Sequence, residues 1–176
     1  MCRKKHGKSE SPTVGIIDSQ SVKTVYNSDG VGYDAGKKTK GRKRHLMTDT
    51  LGNVLEVVVH GADIQDRVGG KSLINKMANI FVTLRRVWAD GAYIGRIQQL
   101  CHLKLGALMS VIKRNTDLKK FVVLPKRWIV ERTIAWLNNF RRLSKDYEIR
   151  ADSSVAWVKL ASIRIMTKKI TQSTVT

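Results

Sequence analysis

The chain has 176 residues, 42% of them hydrophobic, with 33 lysines and arginines against 14 aspartates and glutamates, a formal net charge of +19. That length and apolar content suit one globular domain, or one domain and a tail, and exclude an intrinsically disordered chain. So large a charge resists compaction unless a polyanion answers it, and a domain this basic carries the electrostatic footprint of a nucleic-acid partner.

Residues 1–12 are polar and basic and end in Ser11-Pro12, so they read as a linker or the tail of a missing N-terminal region. Met1 is followed by Cys2 and the basic run Arg3-Lys4-Lys5, with no apolar segment behind them, so no signal peptide is read there. No stretch approaches bilayer-spanning length, and no membrane partner is expected. The two cysteines, Cys2 and Cys101, form no C-x-x-C pair, which argues against a zinc knuckle and suits a reducing cytoplasm.

Val14-Gly15-Ile16-Ile17-Asp18 is a short apolar run ending on an acid and reads as a buried strand. Residues 26–44 hold four glycines and little apolar content, which predicts a long mobile loop. His45–Thr50 and Val54–His60, separated by Leu51-Gly52-Asn53, predict a β-hairpin. Residues 68–81 predict a helix with Leu73, Ile74, Met77 and Phe81 on one face. Arg86–Asp90 predicts another strand ending on an acid, with Gly91-Ala92-Tyr93 as its turn. A helix over 94–104 capped by Gly106, a strand over 107–111 and a basic loop over 113–127 follow. Two long helical patterns close the chain, at roughly 127–142 and 153–170. The order is strand, hairpin, helix, strand, helix, strand, helix, helix, which predicts an α/β domain over 13–150 with a mixed sheet, helices on its faces, and a C-terminal helix and tail over 151–176.

Acids are few in this chain, and three stand out. Asp18 and Asp90 are each expected where an apolar strand stops, so neighbouring strands would bring two carboxylates to one point. Each taken alone could simply cap a turn. Glu131 falls on a helical stripe with Arg127, Ala135, Asn138 and Arg142, opposite the apolar Ile129, Trp136, Phe140 and Leu143. An ion pair from Arg127 to Glu131 is the plain alternative, although the cation preceding the anion is the weaker order on a helix. Three carboxylates without a histidine or cysteine cluster suit a hard cation: Mg²⁺, with Mn²⁺ as the alternative. Two such ions about 4 Å apart clamp the attacking and leaving oxygens of a phosphodiester in an in-line displacement.

The run Lys37-Lys38-Thr39-Lys40-Gly41-Arg42-Lys43-Arg44-His45 concentrates six cations beside the strand expected to pair with that of Asp18, where DNA phosphates would need them. Its plain reading is a solvated charge run. Lys126, Arg127, Arg141 and Arg142 are further candidate DNA contacts. Tyr93 either faces the acids or packs in the core. His45, His60 and His102 are read as structural or surface residues.

Four blocks, V-G-I-I-D-S-Q-S-V-K, G-K-K-T-K-G-R-K-R-H, W-A-D-G-A-Y and R-W-I-V-E-R-T-I-A-W-L-N-N-F-R-R-L-S-K-D-Y-E, together resemble the DDE transposases of bacterial insertion sequences, specifically the insertion-sequence-five group. The resemblance covers roughly residues 13–150. It implies an RNase H-like fold, with Asp18, Asp90 and Glu131 as the catalytic, metal-binding triad. It implies cleavage at the inverted-repeat ends of the element and transfer of the freed 3′-hydroxyl into target DNA, by a homo-oligomer on double-stranded DNA. Against the related insertion-sequence-four pattern of Tyr, Arg, Glu and Lys, Arg127 fits the arginine, Leu124 stands at the tyrosine position and Asn138 at the lysine position. Family members usually carry an N-terminal recognition region, so an upstream-frame partner protein is a further expectation. A cytoplasmic, nucleoid-associated protein is implied. Two alternatives remain: a non-catalytic basic DNA-binding remnant, and an RNase H-like nuclease that cuts without joining strands.

Overall fold

A computed structural model describes residues 2–26, 29–78, 80–112 and 127–172. The elements in chain order are helix α1 (Cys2–Lys5), strands β1 (Val14–Lys23), β2 (Gly32–Asp34), β3 (Thr39–Thr48) and β4 (Val54–Gly61), helix α2 (Asp66–Met77), β5 (Arg86–Asp90), α3 (Arg96–Leu105), β6 (Leu108–Ile112), α4 (Arg127–Asn138) and α5 (Ala151–Gln172). The sheet runs β2-β3-β1-β5-β6, and β4 extends it by pairing with β3. The pairs β1–β3, β2–β3 and β3–β4 are antiparallel, whereas β1–β5 and β5–β6 are parallel. This is the mixed sheet that the sequence predicts.

Alternation along the strands builds two cores, one on each face. Ile17, Met47, Val58, Val87 and Ala89 pack with α2 and α3. Their neighbours Ile16, Leu46, Val57 and Val59 point the other way and pack with α4 and α5. Each such Val, Leu, Ile or Met side chain contributes about 1.5–3 kcal/mol of burial. The β3–β4 turn is held by Asp49, whose carboxylate accepts the Leu51 and Asn53 amides at 2.8 and 2.9 Å. Gly52 sits there at φ 78°, where a side chain would be strained. Gly106 ends α3 in the left-handed conformation expected of it.

The helix expected over roughly 127–142 ends at Asn138, with Arg141–Leu143 in a separate short turn, and the structure departs further from the sequence reading in three places. β1 does not stop at Asp18 but continues to Lys23, because Ser19–Lys23 pair with Gly41–His45 of β3. The loop expected over 26–44 contains β2 and the first half of β3. Close approach explains Gly41: a Cβ there would lie 2.0 Å from the Val22 carbonyl oxygen. Finally, residues 2–5, read as linker, form a helical turn in contact with the fold. Arg3 pairs with the buried Asp49 at 2.7 Å, and Lys5 donates to the Ile170 carbonyl of α5. The basic loop expected over 113–127 and position Leu124 lie outside the described residues, except for Arg127.

Candidate active site between the sheet and helix α4

β1 and β5 lie side by side, with Val14 opposite Arg86 and Ile16 opposite Trp88. Continuing that register by two residues sets Asp18 level with Asp90, just beyond the last paired residues. Ile16 and Trp88 belong to the core on the α4 side. A period of two therefore turns both acids toward α4. Their first oxygens are spent locally. Asp18 Oδ1 accepts the Ser19 amide at 2.7 Å, and Asp90 Oδ1 accepts the Ala92 amide at 3.0 Å, capping the turn Gly91–Tyr93. The turn-capping role of Asp90 is thus real, and it leaves Oδ2 free to face the cleft.

Helix α4 brings the third acid. Ile129, Val130 and Leu137 bury its apolar face against the sheet, and Gln20 of β1 donates to Asn138 at 2.8 Å, fixing the far end. Arg127 and Glu131 then project from the first turns toward the strand acids. Arg127 Nη2 stands 3.1 Å from Glu131 Oε1, 3.6 Å from Asp18 Oδ2 and 3.8 Å from Asp90 Oδ2. All three acids singled out in the sequence therefore gather round one guanidinium nitrogen. The helical Arg127–Glu131 pair also exists, but as one arm of this larger cluster.

The electrostatics follow from burial. Only 14% of the Asp18 side chain is exposed, against 28% for Asp90 and 53% for Glu131. Burial raises the Asp18 pKa to about 6, although the Ser19 amide and the Arg127 charge pull it down; Asp90 and Glu131 add to the rise.

An all-oxygen set of this kind suits a hard divalent cation. The Arg127 head group already marks the point where positive charge is stabilised by all three acids. Among the described residues, no three His, Cys, Asp or Glu side chains stand close enough to chelate a metal as they are. The Arg127 guanidinium lies between those carboxylates. The donor chemistry of the three carboxylates suits a divalent ion.

The candidate DNA-contacting residues divide sharply. Lys37, Lys38 and Lys40 are exposed, and Lys37 Nζ donates to the Ser19 carbonyl at 3.2 Å, next to Asp18. Arg42, Lys43 and Arg44 are not available to DNA: they are 0%, 5% and 2% exposed. Arg42 donates to the Glu148, Ile149 and Asp29 carbonyls and pairs with the buried Asp146 at 3.5 Å. Arg44 donates to the Leu143 and Lys145 carbonyls, and Lys43 pairs with Asp66 at 2.9 Å and Asp34 at 3.4 Å. The reading of these three as phosphate contacts is corrected: their head groups hold neighbouring segments onto the sheet. Arg141 and Arg142 are exposed, with Arg142 paired to Glu148 at 2.8 Å and lying 5.2 Å over the Trp157 ring. Lys126 lies outside the described residues.

Sequence reasoning missed a buried polar relay behind Asp18. Tyr93 is fully buried and shares a 3.0 Å hydrogen bond with His45 Nδ1, while the His45 and His60 rings lie 4.8 Å apart. Tyr93 therefore packs under the site instead of facing it. Burial, then the His60 charge, holds the His45 pKa down at about 3, so the imidazole is neutral. Gly69 of α2 makes room: a Cβ there would sit 2.2 and 2.3 Å from the two Nε2 atoms. The G-G pair inside the helical pattern was the only sign of so close an approach.

The Transposase DDE domain family matches residues 9–166. This chain belongs to the DDE transposase family. Members of the family generally use divalent metal ions. A Burkholderia cepacia protein named as a transposase of insertion sequence element IS402 is 34% identical to this transposase-family chain over 131 residues, 68% of the chain and 60% of the relative. A chain of the simian T-cell lymphotropic virus intasome, solved with a PP2A regulatory subunit, superposes with a TM-score of 0.54 at 16% identity, over 88% of this chain and 48% of that one. That likeness shows the fold, which is RNase H-like. The chain spans 60% of the length of the curated relative it matches. No described helix is long and apolar enough to cross a membrane.

Proposed function

We propose that this domain cuts double-stranded DNA at the ends of an insertion sequence and transfers the freed 3′-hydroxyl into target DNA, using divalent ions held by Asp18, Asp90 and Glu131. The observation that supports this most strongly is the meeting of those three acids at a single point, in a chain with so few acids. Magnesium, or manganese in its place, would supply charge neutralisation at the scissile phosphate and activation of the attacking hydroxyl, and a pair of ions would serve both oxygens.

The chain's own residues have definite tasks in this reading. Asp18 is held rigidly by the Ser19 amide and buried, so its free oxygen keeps a fixed direction. Asp90 is held by its own turn. Glu131, more exposed and carried on a helix, supplies the adjustable carboxylate. Arg127 neutralises the cluster at rest; once the acids are taken up, its planar fork of donors suits a phosphate. Lys37, anchored on Ser19, adds a point charge at the same rim. Arg141 and Arg142 extend the basic surface beyond α4, and Lys38 and Lys40 extend it along the sheet. The active species is a homo-oligomer on DNA, since transposition joins two ends. Its place of action is the cytoplasm, at the nucleoid.

One observation favours a second reading. Arg127 by itself satisfies all three acids, which is also how a purely structural ion cluster in a non-catalytic DNA-binding protein would look. The test is nicking and joining of DNA carrying the element's terminal repeat, in Mg²⁺. Wild-type protein is expected to cut and join, and Asp90→Asn to bind without cutting. Equal behaviour of the two proteins refutes the catalytic reading. Cutting without joining of a supplied 3′-hydroxyl end identifies a nuclease instead.

A further inference from the structure

Away from the acid cluster, two tyrosines stand in solvent. Tyr26 is 61% exposed and Tyr33 is 55% exposed, unusual for rings of that size in a folded domain. They line one open cleft of about 650 Å³ together with Lys23, Lys38 and Lys40. Among the described residues, no acidic side chain lines that cleft. Tyr33 of β2 lies directly opposite Lys40 of β3 in the sheet register. Lys38 sits in the turn between them at φ 49°, the single non-glycine residue with positive φ among the described residues. That conformation costs a lysine about 1–2 kcal/mol relative to its ordinary backbone, and a glycine would relieve it. The turn therefore holds a cation beside the rings at a cost in stability.

The place of the cleft relative to the acids follows from register. Leu46 of β3 is opposite Asp18, and Lys40 is six residues before it on the same strand. An even separation keeps Lys40 and Tyr33 on the sheet face that carries Asp18. Six residues of strand span about 20 Å. Between the two, this face is covered at Arg42 and Arg44 by the segment 143–149, so a polynucleotide leaving the acids passes over that segment before it reaches the cleft. Cationic side chains interleaved with open aromatic faces are the chemistry that binds unpaired nucleotides: lysines take the phosphates and rings take the bases. A fully paired duplex offers phosphates but no free base faces, so it would leave the rings unused.

We propose that Tyr26 and Tyr33, with Lys23, Lys38 and Lys40, form a docking site for unpaired nucleotides of a DNA strand running from the catalytic cluster. The proposal deepens the transposase reading and rests on it, by naming which part of the DNA this face holds: a strand separated from its complement near the cut.

The test is equilibrium binding in metal-free buffer, by fluorescence anisotropy, of a labelled duplex and of the same duplex with a short oligothymidine tail. The tail is expected to tighten binding to wild-type protein. Tyr33→Ala and Tyr26→Ala are each expected to weaken binding of the tailed DNA by about fivefold to a hundredfold, the range of one lost base stack, and to leave the blunt duplex unchanged. Tyr33→Phe keeps the ring and is expected to bind like wild type, which separates stacking from any effect on folding. Tyrosine variants that weaken both probes equally, or neither, overturn the proposal. Wild-type protein that nicks DNA in Mg²⁺ but gains nothing from the tail overturns this site alone. Protein that binds neither probe overturns the transposase reading with it.

Discussion

Two halves of one basic run end in opposite environments. Lys37, Lys38 and Lys40 stand in solvent at the β2–β3 turn, while Arg42, Lys43 and Arg44, a few residues on, are buried in β3. In sequence they form one charge cluster. In the fold, the first half is available to a polyanion, and the second half holds the segments 143–149 and 64–66 onto the sheet. Counting cations along a chain therefore overstates the charge presented to DNA. A buried guanidinium is recognised only by its partners, and here all but the Asp29 carbonyl lie about a hundred residues away.

The largest effect that sharpens this comparison is on stability. Removing the head group in Arg42→Ala strands the buried Asp146 carboxylate and three backbone carbonyls. The expected loss is about 3–5 kcal/mol, read as a lower urea midpoint at unchanged slope. Lys38→Ala and Lys40→Ala, in the exposed half, are expected to stay within about 0.5 kcal/mol of wild type. Comparable losses in both halves would break the distinction.

A second effect concerns the acids. The folded-state pKa of Asp18 is raised to about 6 from an ordinary value of 3.8, so the fold holds this proton more tightly than the unfolded chain does. The stability it contributes is complete below about pH 4 and is lost as pH rises through 6. Asp18→Asn, neutral throughout, is therefore expected to be more stable than wild type above pH 6, by up to about 3 kcal/mol without metal. The difference should fade below about pH 4, and melting curves across that range measure it. His45 runs the other way: its folded-state pKa is depressed to about 3, so the stability it contributes is lost as pH falls below about 6.5. A gain for Asp18→Asn that is independent of pH would mean the carboxylate is not desolvated as the geometry implies.

The smallest effect is on binding. Lys37→Gln, Lys38→Gln and Lys40→Gln are each expected to lower the slope of log affinity against log salt by about 0.9, the value for one phosphate contact. None should move the melting temperature. A single variant that changes the slope and unfolds the protein would place that lysine with Arg42 instead.

Much of the site could be read from the sequence because its signals are local. Apolar residues running into Asp90, then a glycine, mark a strand and its turn. Helical spacing puts Arg127 and Glu131 on one stripe, and Gly106 ends α3 as expected. The continuation of β1 past Asp18 was hidden, because Ser19–Lys23 carry no continuous apolar signal and earn their place by pairing with β3. The role of Arg127 at the centre was also hidden. Spacing shows its neighbour Glu131, but nothing local shows that Asp18 and Asp90 reach the same nitrogen from the far side of the cleft.

The central claim is that a divalent ion takes the place Arg127 Nη2 now holds. Crystals grown with Mn²⁺ and measured at the manganese absorption edge test it directly. Anomalous density is expected among Asp18, Asp90 and Glu131, with the Arg127 guanidinium turned out of the cluster. Manganese bound elsewhere, with Arg127 still bridging the three acids, would contradict it.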